Sequence, residues 1–283
     1  MDFTIPALPL ENFIDTSIDF LTNNFAFLTK AVADVLESGI DLLQAGLDFL
    51  PPWLIIIGLA LIAWKLADRK VAIITVVGFL LIWNLRLWDA TIDTLILVII
   101  STAVAVAIGL PLGIWAALSP RFNRVIMPLL DLMQTMPAFV YLIPAIPFFG
   151  LGPVSAIFST VIFAMPPAIR LTCFGIQQVP ADLVEAADAF GSSRSQKLFK
   201  LQLPLATPTI MTGVNQTIML SLSMVVIAAM IGAKGLGGEV WKAIQRLQPG
   251  KGFVAGIGVV IVAMVLDRIS QKVGKQKYTT NGG

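Results

Sequence analysis

Apolar and polar positions follow two different patterns along this chain. Between residues 8 and 50 the pattern has a helical period. Glu11, Asp15 and Asp19 recur every four residues, and Asp34, Glu37, Asp41 and Asp48 recur at three, four and seven. Each set falls on one helical face. Ile14, Ile18, Leu21, Phe25 and Leu28, then Val32, Val35, Leu36 and Leu43, make the opposite faces. Two amphipathic helices are predicted, lying on a membrane surface or against the rest of the chain. Their polar face is acidic, which anionic headgroups repel. Packing on protein, or a place on the outer side, is therefore expected.

After Pro51 and Pro52 the pattern becomes continuous. Seven apolar segments follow, at about residues 53–66, 71–88, 91–118, 125–149, 154–174, 207–231 and 253–269. The first is short for a span, which needs about 20 residues. Trp53, Trp64, Trp83, Trp88, Trp115 and Trp241 sit near segment ends or in the following loop, as interfacial indoles do. Pro111, Pro137, Pro144 and the Pro166-Pro167 pair are expected to interrupt spans. The expected fold class is an all-α membrane protein of about seven transmembrane helices.

Lys and Arg set the expected orientation. Lys65, Arg69 and Lys70, then Arg121 and Arg124, then Arg170, Arg194, Lys197 and Lys200, then Arg268, Lys272, Lys275 and Lys277 share one side of a seven-span chain. That side is the cytoplasm, so the N-terminus lies outside and the C-terminus inside. One loop disagrees: Lys234, Lys242, Arg246 and Lys251 fall on the outer side. Either that loop carries function or the span count fails there.

Composition narrows the chemistry. Charged residues are 13% of the chain, about half of the ~25% usual in soluble domains. There is no His and a single Cys, Cys173, so the commonest metal ligand and general base is missing and no internal disulfide forms. No metal site is expected. Gly250-Lys251-Gly252 lacks the spacing and the hydroxyl residue of a phosphate loop, so the chain binds no ATP by that route. The first residues lack the basic start and short apolar core of a cleaved signal. Charge is also unevenly placed: residues 1–52 hold eight acids against Lys30 alone, and the remainder is strongly basic.

The most informative feature is the polar interruption at residues 175–204. Pro180 suits a first helical turn, and Asp182, Glu185 and Asp188 suit an N-terminal half. Ala186, Ala187 and Ala189 offer a smooth face. Gly191 ends the helix, and Ser192 and Ser193 can cap the next one. Glu185-Ala186-Ala187, Gly191, then Leu201, Leu203 and Pro204 resemble the cytoplasmic loop of permease subunits of ATP-binding-cassette importers. The run from Asp131 to Pro144, with Ile231, Gly232 and Gly235 to Gly237, resembles permeases for glycine betaine, proline betaine, choline and carnitine.

The resemblance, over about residues 70–272, implies a type I importer fold with a five-helix core. Four regions follow: an outer amphipathic region at 1–52, two accessory spans within 53–90, the permease core at 91–272, and a cytoplasmic tail at 273–283. Implied partners are two ATPase subunits carrying ATP and Mg, an extracellular or lipid-anchored substrate-binding protein, a second copy of the permease and the lipid bilayer. No cofactor on this chain and no nucleic acid are implied. Glu185, Ala186, Ala187, Gly191, Leu203 and Pro204 would couple the chain to the ATPase. Asp131, Gln134, Phe139, Tyr141, Asn215, Ser221 and Ser223 are candidates for the substrate pathway. Phe139 and Tyr141 offer ring faces to a quaternary ammonium. Asp131 either attracts a cation or pairs and caps near a span end. Asn215, Gln216, Thr217, Ser221 and Ser223 either bond between helices or line a pore. Lys234 and Lys242 are candidates for docking the binding protein, in a loop made mobile by Gly232, Gly235, Gly237 and Gly238. The expected function is ATP-driven import of betaine-type osmoprotectants by alternating access. The alternatives are another substrate, such as an amino acid, or a stand-alone channel or ion-coupled carrier.

Overall fold

The computed structural model describes the backbone of residues 10–279 and the side chains of residues 11–272. Tail lysines 275 and 277 lie outside the described side chains. All regular structure among the described residues is helical. Helices α1 (Leu10–Asn24) and α2 (Ala26–Asp48) carry the acidic faces. Helix α2 lies on the body: Ile40 is buried, and Leu36 and Leu47 join the main core. It contacts α5 (Trp88–Leu118), α7 (Leu142–Phe149) and α8 (Pro153–Gln177). The acids Asp34, Glu37, Asp41 and Asp48 stay exposed.

Pro51 and Pro52 then turn the chain sharply. Helix α3 (Pro52–Leu66) leaves α2 at 106° and pairs with α4 (Arg69–Asn84). Asp68 caps α4 by accepting the Val71 N–H at 3.0 Å. At 15 and 16 residues, α3 and α4 are both shorter than a full span of about 20 residues. Among the described residues, four helices are long and apolar enough to cross alone: α5, α8, the run Arg194–Ile231 and α13 (Pro249–Thr279) over Pro249–Lys272.

The apolar segment at 125–149 is interrupted at Pro137, as expected of that proline. Helix α6 (Pro120–Thr135) ends at Met136, and the segment Ala138–Phe149, which holds α7, departs at 112°. Pro137 fixes an extended backbone there, with ψ 139°. The other expected interruptions are corrected. Pro111 lies inside α5, Pro144 inside α7, and Pro166 and Pro167 inside α8, all without ending the helix.

Helix α8 is the centre of the bundle, with 67% of its apolar window buried. Small residues let α5 and α11 (Leu203–Ile227) approach it. A Cβ on Gly113 would stand 2.6 Å from the Ile169 carbonyl oxygen, and one on Gly213 would stand 3.0 Å from that of Pro167. In a membrane, where apolar burial gives helices little reason to associate, such backbone contact is what holds them.

Candidate functional site

The polar segment after α8 forms a compact helical unit. Helix α9 (Ala181–Ala189) starts behind Pro180 and ends at Phe190. Gly191 has φ +75°. Its N–H bonds to the Asp188 carbonyl at 2.9 Å, and the Ser192 N–H bonds to that of Ala187 at 3.0 Å. This pair is a Schellman termination, which needs a left-handed residue at the position glycine holds. Ser193 then caps α10 (Arg194–Lys197) in a reciprocal box with Gln196. Lys197 Nζ reaches both Asp188 carboxylate oxygens at 2.7 Å and fastens α10 to α9.

Beyond α10 the chain does not break. Residues Leu198–Gln202 form a π-helical turn that runs directly into α11, giving 38 continuous helical residues over Arg194–Ile231. Pro204 accounts for the widened turn. It lacks an N–H, and its ring would crowd the carbonyl four residues back. Helix α10 and the spanning α11 are therefore one rod. Leu203 packs with Ile176, Leu198 and Ala206 in a small core where α5, α8 and α11 meet, and Pro204 is exposed. A cavity of about 290 Å³ between this end of the bundle and α9 is lined by Leu118, Gln177, Val184, Glu185 and Gln202.

Glu185 and Ala186 face outward, and Ala187 is half-buried. Sequence reasoning missed the apolar surface beside them. Phe190 is 91% exposed and Phe199 64%, at a polar end of the molecule where exposed rings mark a contact surface. For Phe190, its position next to the helix-ending Gly191 was the available signal. Basic residues of the α3–α4 and α5–α6 turns, α10 and late α13 gather at this same end. Lys272 pairs with Asp68 at 3.3 Å, and Asn123 Nδ2 donates to Cys173 Sγ at 3.1 Å.

The pathway candidates do not form one cluster. Asp131 pairs with Arg170 of α8 at 2.6 Å. With Gln134 and Thr135 it leaves a polar, exposed stripe along α6. Phe139, in the turn Ala138–Tyr141, is 55% exposed. Tyr141 is buried, donates its hydroxyl to the Met133 carbonyl and packs edge-on to Phe163 at 5.6 Å. Its ring stabilises the α6 break and presents no open face. Asn215 Nδ2 donates to Asp267 Oδ1 at 3.2 Å, and the Ser270 hydroxyl donates to Asn215 Oδ1. This ties α11 to α13. Asp267 was also missed: a lone acid beside Arg268 reads as span-end decoration. Thr217 and Ser221 are buried with no bonding partner for their hydroxyls, and Ser223 is exposed.

The glycines after α11 have a different role from the one expected. Gly235 has φ +116°, and a Cβ there would stand 2.5 Å from Thr94 Oγ1; one on Gly237 would stand 2.6 Å from Val226 Cα. Thr94 Oγ1 accepts the Leu236 N–H at 2.8 Å. The loop is therefore locked onto α5 and α11 rather than mobile. It carries helix α12 (Leu236–Gln245). Lys234 and Lys242 are both exposed, with Lys242 bonded to Glu239 at 2.8 Å and Lys234 within electrostatic range of Asp93.

Residues 109–276 match the family described as "Binding-protein-dependent transport system inner membrane component". The chain is 50% identical to the glycine betaine transport system permease protein OpuAB of Bacillus subtilis, covering 96% of this chain and 97% of the relative. It is also 50% identical to the glycine betaine/carnitine transport permease protein GbuB of Listeria monocytogenes, over 96% and 98% of the two chains. A chain in an inward-facing structure of the MetNI methionine ABC transporter shares the fold, with a TM-score of 0.61 at 20% identity over 65% of this chain and 93% of that one. The chain therefore belongs to the family of inner membrane components of binding-protein-dependent transport systems, a permease subunit and not an enzyme.

Proposed function

We propose that this permease imports glycine betaine or a related quaternary-ammonium osmoprotectant, driven by ATP hydrolysed on partner subunits. The observation that carries the coupling is the continuous rod Arg194–Ile231, clamped to α9 through Lys197 and Asp188. A partner moving α9 moves a helix that crosses the membrane. Glu185, Ala186 and Phe190 meet the ATPase; Ala187, Gly191, Leu203 and Pro204 shape and anchor the unit that meets it.

The relatives' names support the substrate. Two permeases at 50% identity are named for glycine betaine. The methionine transporter's likeness is one of fold and carries no substrate. The working assembly has two copies of this chain, two ATPase subunits with ATP and Mg, and an external binding protein. The basic end with α9 faces the cytoplasm, and α1 and α2 lie outside. The exposed stripe of Asp131 and Gln134 on α6, with Phe139 above it, forms part of the pathway wall. A quaternary ammonium donates no strong hydrogen bond, so an aromatic face and a distant carboxylate suit transient contact. Of the two candidate contacts for the binding protein, Lys242 is already engaged by Glu239, which leaves Lys234.

The test is uptake of radiolabelled glycine betaine into ATP-loaded vesicles holding this chain with its neighbouring subunits. ATP-dependent accumulation competed by proline betaine, and not by methionine, is expected. Accumulation of an amino acid in place of betaine would overturn the substrate.

A further inference from the structure

The end of the bundle opposite α9 holds charge that transport leaves unused. Arg86, Lys242, Arg246 and Lys251 line a cavity of about 380 Å³ between the α4–α5 turn, α12 and the start of α13. The only acid in its lining is Glu239, which Lys242 engages at 2.8 Å. Among the described residues, Arg86, Arg246 and Lys251 enter no ion pair. Arg86 and Leu247, on the two turns framing this region, both hold left-handed backbone, with φ +58° and +54°. These cations break the charge rule that places basic residues on the other side.

An apolar groove adjoins the cavity. It has a volume of about 950 Å³, runs between α12 and α13, and shares Ala243 and Gln248 with the cationic cavity. Its walls include Ile244, Leu247, Phe253, Ile257 and Val260, all exposed. Gly256 lies in its lining, and a Cβ there would meet nothing within 4 Å. The groove follows α13 into its spanning region, of mean hydropathy 2.1.

The occupant must therefore be anionic at one end and apolar along the other. An acidic protein surface would use the cations and leave the groove empty. A second copy seated here about a two-fold axis would set the four cations against their own kind. We propose that the cavity and groove together bind one anionic phospholipid. Its phosphate lies among Arg86, Arg246 and Lys251, and an acyl chain lies along α13 over Gly256. Basic pockets at helix ends hold acidic headgroups by this chemistry.

The test is lipid retention by the full chain with its partner subunits, read by native mass spectrometry after exposure to phosphatidylglycerol or phosphatidylcholine of identical chains. This readout needs no transport, so it stands or falls apart from the betaine assignment. Wild type should retain phosphatidylglycerol about tenfold better than phosphatidylcholine. The combined variant Arg86→Gln, Arg246→Gln, Lys251→Gln should lose that preference. Gly256→Leu should lower retention of both lipids, because it fills the groove without displacing protein. Lys65→Gln with Lys70→Gln, at the other end, should change nothing. Equal retention of the two lipids, or variants indistinguishable from wild type, would overturn the site. So would displacement of the lipid by glycerol 3-phosphate at equal concentration, or a disulfide between two Val260→Cys copies.

Discussion

Gly191 is the residue on which the shape of the proposed coupling unit depends. Its left-handed backbone and the two bonds that close α9 admit a Cβ only at a cost of about 1–2 kcal/mol. Gly191→Val should leave helix content and membrane insertion intact, because the site is exposed and open. It should cut betaine moved per ATP hydrolysed by about tenfold, whereas Gly191→Asn should keep most coupling. Gly235 makes a contrasting prediction. Gly235→Ala forces a Cβ against Thr94 and should cost about 1–3 kcal/mol, read as a lower melting temperature in detergent. The two glycines differ in how far the sequence discloses them. Gly191 follows an alanine-rich helix and precedes two serines, so its local context gives its role. Gly235 looks like a flexible hinge until its partner is known, and Thr94 lies 142 positions upstream of the bonded Leu236. Residue spacing along one segment cannot express that contact.

At the scale of elements, α9 and α10 act together because Asp188 and Lys197 join them. With Asp188 still exposed to water, the pair is worth about 0–1 kcal/mol, so Lys197→Ala should barely alter stability. It should lower coupling several-fold, and the charge exchange that combines Asp188→Lys with Lys197→Asp should restore it. The α3–α4 turn responds to pH instead. The Val71 N–H bonded to Asp68, then Lys272 beside it, hold that carboxyl below its usual value. A lowered folded pKa stabilises above the ordinary aspartate value near 3.9 and the benefit fades as pH falls through the lowered value. Amides at the start of α4 should therefore exchange faster below about pH 4. Asp68→Asn should flatten that dependence. Element type was legible from the apolar runs. Which prolines break helices was not: Pro137 ends α6, yet Pro166 and Pro167 sit within α8, because neighbouring helices decide whether a freed carbonyl is tolerated.

On the scale of the whole molecule, a rigid connection joins the two ends. The rod Arg194–Ile231 runs from the capped unit to the locked glycines beside Thr94, and Asn215 and Asp267 tie it to α13 on the way. Asn215→Leu leaves the Asp267 carboxylate without that donor. It should lower the melting temperature and slow transport together, unlike Gly191→Val, which should spare stability. The bundle's charge asymmetry was legible in the sequence, as was the short helix of the polar segment that we propose docks the ATPase. The packing around α8 was not, since it rests on backbone contacts at Gly113 and Gly213 that leave no periodic signal. The most direct measurement of the central claim follows betaine uptake and ATP hydrolysis together in vesicles holding the complete assembly, for wild type and Gly191→Val. Wild type should couple the two, and the variant should still hydrolyse ATP while uptake falls about tenfold. Undiminished betaine uptake by Gly191→Val would contradict the assignment of α9 as the element through which hydrolysis moves the helices.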